Sequence, residues 1–211
     1  MSAASRALPR SPAARLRPRR AALTTAVGGA VAALLLSACT SSGASGGGGD
    51  TNFVMGKDGI STVAQGKRDT APDLSGTTVA GGQLDLRSYR GKVVVLNVWG
   101  SWCSPCRAEA PNFEKVYTDL KGQGVQFVGI NTLDTSNKNA LAFEKQQGIT
   151  YPSLSDPRGK LLLRFKKGTL SLQAIPSTLV IDRKGKIAAR SLAALSEEKL
   201  RHMISPVLAE K

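Results

Sequence analysis

Acidic residues are missing from the start of this 211-residue chain. Before Cys39 every charge is an arginine (Arg6, Arg10, Arg15, Arg17, Arg19 and Arg20), and without these six the formal charge falls from +14 to +8. Long basic runs are missing too, since none after residue 20 exceeds two residues. Charge scattered in this way argues against a nucleic-acid groove and fits a solvated surface beside an anionic membrane. Histidine is limited to His202, which reads as a surface or packing residue without chemistry. Cysteine is scarce and odd in number: Cys103 and Cys106 form a CxxC pair, and Cys39 stands alone. No undiluted apolar run reaches the roughly 20 residues that span a bilayer. The stretch Ala21 to Ser37 has 17, broken by Thr24, Thr25, Gly28 and Gly29.

What the front end does contain is an arginine-rich segment followed by that apolar stretch, greasiest from Val31 to Leu36. A charged n-region before an h-region is the layout of a secretory signal. It ends in Leu36-Ser37-Ala38-Cys39, which resembles the lipobox of bacterial lipoproteins. The resemblance implies cleavage before Cys39, a lipid on its sulfur, and a protein anchored outside the cell membrane. An uncleaved membrane anchor is the competing reading, and Arg19-Arg20 leaves a twin-arginine route open beside the general one. Residues Thr40 to Asp50 are a Gly/Ser tether, with a random-coil reach of roughly 15–20 Å. Residues 51–69 mix short apolar pieces with glycine and charge, and are expected to form a semi-ordered arm on the domain. The expected organisation is a signal peptide over 1–38, lipidated cysteine, tether and arm over 39–69, and one folded domain over 70–211.

Within that domain, Thr77 to Val79 and Gln83 to Leu86 flank Ala80-Gly81-Gly82 and predict a β-hairpin. Val93 to Val98 is β-branched and apolar, the pattern of a buried strand. A helix is expected from about Cys103 to Lys121, carrying Pro111 inside it and an inward stripe of Phe113, Val116, Tyr117 and Leu120. Val125 to Ile130 predicts a second buried strand, Lys138 to Gln147 a helix, and Tyr151 to Ser155 a short extended piece. Gly159 to Phe165 reads as a further helix. Ile175 to Asp182 and Ile187 to Arg190 read as a hairpin turned by Arg183 to Lys186, and Ser196 as the N-cap of a last helix. Parallel strands joined through helices, then an antiparallel hairpin, make a mixed α/β sheet with helices on both faces.

The CxxC pair lies where the core strand turns into a helix N-terminus. Backbone N–H groups and the helix dipole stabilise a thiolate at such a place, which suits thiol–disulfide chemistry. Two cysteines at this spacing share a helical face and can close a small disulfide ring. The competing readings are half of a zinc site, for which His202 and Cys39 are the only further ligands, and a structural bridge. A bridge closing so short a loop stabilises little.

Val94 to Pro111, with Trp99-Gly100-Ser101-Trp102-Cys103-Ser104-Pro105-Cys106 at its centre, resembles the thioredoxin superfamily and, within it, the membrane-tethered TlpA/ResA group. Ala71-Pro72-Asp73-Leu74, Gly91-Lys92 and Ile175-Pro176-Ser177-Thr178 to Asp182 carry the same resemblance, and the helix near 138–147 resembles that group's insertion. The likeness covers roughly residues 70–208. It implies a thioredoxin-like fold and a thiol-disulfide oxidoreductase without cofactor or metal. Cys103, bordered by Trp102, is then the exposed nucleophile and Cys106 the resolving thiol, with Ser104 and Pro105 tuning the pair. Pro176 is implied to be cis against the disulfide, with Ile175 offering its backbone to a bound partner chain. Glu109, one turn after Cys106, is implied as a proton acceptor. Asn97 replaces the buried aspartate of cytosolic thioredoxins, so Glu109 is expected to be the only carboxylate near the pair. Trp99 is expected in the core, and Trp102 at the partner surface.

The group's role would be reduction of the haem-site cysteines of apocytochrome c, driven by a membrane electron donor of the CcdA/DsbD type. The alternatives are an oxidase that introduces disulfides into exported proteins and a non-enzymatic binding module. A peroxiredoxin lacks support, because Gly100-Ser101-Trp102 precedes Cys103 in place of a Thr-x-x-Cys approach.

Overall fold

From Val93 to Trp99 every position except Asn97 is apolar, so neither face of such a strand can meet water. A computed structural model, which describes residues 51–210, buries all seven. In chain order its elements are β1 (Val54–Met55), β2 (Ser61–Thr62), β3 (Ser75–Thr77), β4 (Gln83–Asp85), β5 (Val93–Trp99), α1 (Ser104–Leu120), β6 (Val125–Thr132), α2 (Asn137–Gln147), β7 (Ser153–Asp156), β8 (Ser177–Ile181), β9 (Ile187–Ser191) and α3 (Glu197–Leu208). The seven-stranded sheet runs β1-β2-β9-β8-β5-β6-β7, with β5 parallel to β6 and antiparallel to β8. β3 and β4 pair separately as a hairpin, its first strand at Ser75–Thr77 instead of the expected Thr77 to Val79, because Thr78 and Val79 turn away to pair with Leu154 and Ser153 of β7. The expected signal, Cys39 and the expected tether to Asp50 lie outside the described residues. No helix of the described residues is long and apolar enough to cross a membrane.

Alternation along β5 divides the core. Val93 and Val95 meet Phe113 and Val116 of α1 and Leu200, Met203, Ile204 and Val207 of α3. Val94, Leu96 and Val98 face the opposite way, onto Leu74, Leu84 and Leu86 around the hairpin and onto Leu154, Leu161, Leu162 and Phe165. The inserted helix α2 instead packs Ala140 and Phe143 against Trp99 and the two cysteines. Asn97 shares the α1 side with Val93 and Val95, and this turns its amide toward the active-site helix.

Two segments differ from the sequence reading. Residues 51–69 are more than an arm: β1 and β2 extend the central sheet at its edge, β2 pairing with β9, and Ile60 and Val63 are buried. Their apolar pieces are too short to signal a strand alone, and pairing to an existing edge supplies the rest. The helix expected over 159–165 is a single 3-10 turn at Leu162–Arg164. The Asp156 carboxylate accepts the amides of Lys160 and Leu161, and Gly159 turns left-handed at φ 68°. Leu163 is left in solvent as its neighbours go inward.

Candidate active site

The chain leaves β5 through Gly100 to Trp102 and enters α1 with Cys103 as its N-cap. Cys103 Sγ accepts the Cys106 amide at 3.2 Å and is joined to Cys106 Sγ in a disulfide. A sulfur here meets both a backbone donor and the positive end of the helix dipole. Ser104 and Pro105 form the first turn, where a proline loses no helical hydrogen bond. The Ile175–Pro176 peptide is cis, and Ile175 O lies 3.8 Å from Cys103 Sγ. Cys103 was expected to be exposed. It is only 3% exposed, because it packs in a cluster with Trp99, Ala110, Phe143 and the half-buried Ile175.

Glu109 is one helical turn further on and 3% exposed. Its Oε1 accepts from Asn97 Nδ2 at 3.0 Å, and its Oε2 accepts from Leu195 N at 2.9 Å. Burial disfavours the charged form more than these two donors favour it, and the carboxyl is pushed up to about 7. Behind the disulfide a small gap is lined by Cys106, Asn97, Phe143 and Tyr151, among others. Cys106 and the amide that holds Glu109 thus face a common space.

The aromatics divide as the sequence suggested. Trp99 is buried and stacks on Phe143 of α2 at 4.6 Å between ring centroids. Its Nε1 donates to Ser153 Oγ at 3.3 Å, and this bond passes so close to Gly129 that a Cβ there would lie 2.2 Å from Ser153 Oγ. Arg107 sits 5.5 Å from the Phe143 ring centre and donates to Gln146, which locks the inserted helix to α1. Trp102 remains 55% exposed, its indole folded onto Gly100, where a Cβ would lie 2.5 Å from Nε1. His202 is exposed and 3.2 Å from Asp58, on the outer surface of α3.

Sequence reasoning missed Asp134. Its buried carboxylate accepts from Ser101 N at 2.9 Å, from Ser101 Oγ at 2.5 Å and from Asn131 Nδ2 at 2.5 Å. A second buried carboxylate besides Glu109 thus holds the loop two residues before Cys103. The signal was weak, because Asp134 sits in the polar run Asn131 to Asn137 with nothing to distinguish it from a solvated loop.

Comparison with known proteins agrees with this geometry. The AhpC/TSA family matches residues 68–190. The thiol-disulfide oxidoreductase ResA of Geobacillus kaustophilus is 33% identical over 156 residues, which cover 74% of this chain and 83% of that protein. A solved DsbF homologue from Corynebacterium diphtheriae is 33% identical with a TM-score of 0.66, covering 72% of this chain and 94% of its own. A secreted thiol-disulfide isomerase from Corynebacterium glutamicum is 29% identical with a TM-score of 0.67, covering 72% of this chain and 93% of its own. With the CxxC disulfide at the head of α1 and a mixed sheet behind it, the chain belongs to the thioredoxin-like AhpC/TSA family and is a thiol-disulfide oxidoreductase.

Proposed function

We propose that this chain is a membrane-tethered extracytoplasmic thiol-disulfide reductase that acts on exported proteins, with the haem-site cysteines of apocytochrome c as its substrate. The observation that carries the redox role is the position of Cys103 Sγ, at once the N-cap of α1 and 3.8 Å from Ile175 O. A sulfur so placed is stabilised as a thiolate and lies beside backbone that an incoming chain can pair with.

The reduced enzyme starts with the Cys103 thiolate, which attacks one sulfur of the partner disulfide and expels the other as a thiolate. Cys106 then loses its proton to the Glu109 carboxylate and attacks Cys103 Sγ. The partner leaves as a dithiol, and Cys103–Cys106 becomes the disulfide. Glu109 suits the step because a carboxyl near 7 both accepts and returns a proton at neutral pH. Ile175 and cis-Pro176 form the docking wall. Two electrons from a membrane dithiol donor of the CcdA/DsbD type restore the starting state; no cofactor takes part. The lipobox-like Leu36 to Cys39 and the secreted relative of C. glutamicum support the location outside the membrane, with the lipid on Cys39 as anchor.

The test is a trapping experiment with a peptide carrying an oxidised CxxCH site. Reduced wild type should return the peptide dithiol, and Cys106→Ala should stop at a mixed disulfide through Cys103. Cys103→Ala should give neither. A trapped adduct on Cys106 in Cys103→Ala would overturn the assignment of roles.

A further inference from the structure

Charge that is scattered along the chain gathers in space. The passages beside the disulfide, residues 100–106, 132–136, 171–176 and 191–195, contain one charged residue, the buried Asp134. At the opposite end of the sheet, residues 64–70, 86–92, 121–124 and 182–186 hold nine lysines and arginines against Asp69 and Asp182. Backbone bonds draw these passages together. Gly91 N donates to Arg183 O, Val93 N to Gly124 O and Ala71 N to Gly185 O, each at 3.0 Å. Arg90 donates to Lys184 O at 2.6 Å.

Both acids are already engaged, Asp182 by Arg68 and Asp69 by Lys166, while Asp73 stays exposed nearby. Arg87 pairs with Asp85, and Arg183 donates to the carbonyls that end α3. Lys92, Lys121 and Lys184 are exposed, and no carboxylate among the described residues pairs with them. The chain also enters the fold here, since Asn52 Nδ2 donates to Lys67 O at 3.1 Å. Cys103 lies past the far end of β5, whose seven residues span roughly 20 Å.

We propose that this basic end is a docking surface for the anionic phospholipids of the bilayer, with Lys92, Lys121 and Lys184 as its principal contacts. A docked domain turns Cys103 away from the membrane, toward exported polypeptides. The proposal rests on the reading of the chain as membrane-tethered, and adds the face that meets the lipid. A bilayer fits better than a nucleic acid, because the expected tether from Cys39 holds this end within roughly 15–20 Å of the lipid. Attachment through a few solvated charges is reversible and screened by salt, so the domain lifts and turns to meet its membrane electron donor.

The test uses the mature chain from residue 39 with Cys39→Ser, so that no lipid of its own contributes. Its partners are vesicles of phosphatidylcholine with or without phosphatidylglycerol. The chain should sediment with the anionic vesicles alone and leave them in about 1 M salt, where the screening length falls to about 3 Å. One basic residue near such a surface is worth about fivefold in partition. Lys92→Gln, Lys121→Gln and Lys184→Gln should each cost that factor, and together roughly a hundredfold. The same charge removed at the exposed Lys138, Arg158 and Lys160, beyond the other ends of β6 and β7, should cost less than about tenfold. Both triple variants should reduce a small soluble disulfide at the wild-type rate. Equal losses in the two triples, equal partition onto neutral and anionic vesicles, or displacement by duplex DNA at matched phosphate concentration would overturn the docking surface. The tether is read separately: full-length wild type in the soluble fraction of the cell would refute that reading, whatever the vesicles show.

Discussion

Glu109→Gln should make the protein more stable at alkaline pH and not at acid pH. The carboxyl is buried against Asn97 and the Leu195 amide and titrates at about 7, against an ordinary 4.5. The folded chain therefore holds this proton to a higher pH than the unfolded chain does. Between about pH 4.5 and pH 7 the folded state binds more protons, so this group's contribution to stability falls as pH rises through that window. A shift of about 2.5 units corresponds to a cost of about 3 kcal/mol at pH 8, and of about 1 kcal/mol at pH 5. Glutamine carries no charge and escapes that cost, but it gives up one of two acceptor oxygens, a pH-independent loss of about 1 kcal/mol. Wild type and variant should match to within about 1 kcal/mol near pH 5, and the variant should lead by about 2 kcal/mol near pH 8. The assay is urea unfolding of the two oxidised proteins at both pH values, where the thiols do not titrate and other groups cancel in the difference. Parallel pH profiles would mean instead that the Glu109 charge meets no desolvation in the fold.

Gly129→Ala should cost about 1–3 kcal/mol in unfolding free energy, since the new Cβ would lie 2.2 Å from Ser153 Oγ and 2.7 Å from Trp99 Nε1. The same variant should shift tryptophan emission, and wild-type stability and spectrum together would contradict the packing. Phe53→Ala should lower stability by about 1–2 kcal/mol, because the Phe53 ring lies 4.2 Å from the guanidinium of Arg190, which is 8% exposed and has no carboxylate partner among the described residues. Arg190 donates to the carbonyls of Gly168 and Thr169, so hydrogen exchange should quicken in that turn, and unchanged exchange would show that Phe53 does not hold it.

The strand-to-helix passage around the cysteines was legible because three independent signals coincide there. Val93 to Val98 can only be a buried strand, CxxC needs a helix start, and Ile175-Pro176-Ser177-Thr178 supplies the facing turn by resemblance. The cis bond and the burial of Trp99 followed that reading. What failed was context-dependent. The Leu161 to Phe165 run is apolar except for Arg164 and has no helical period, and a carboxylate seven residues before its middle captures the amides that a helix needs. Strands of two residues, as at Val54–Met55 and Ser61–Thr62, exist only by virtue of the edge they join. Asp134 is the instructive case: its role depends on Ser101, 33 positions away, and no local pattern encodes so distant a partner. The burial of Cys103 likewise comes from residues around Phe143 and Ile175 that arrive through the fold.

In the proposed reaction Cys103 and Cys106 deliver electrons to exported disulfides, and the reduction potential of that couple, measured by equilibration with glutathione buffers, decides the direction of electron flow. A reductant of this kind should lie clearly below the value of about −120 mV that marks a strongly oxidising thiol oxidase. A potential near −120 mV would contradict the reductase and make this chain a donor of disulfides.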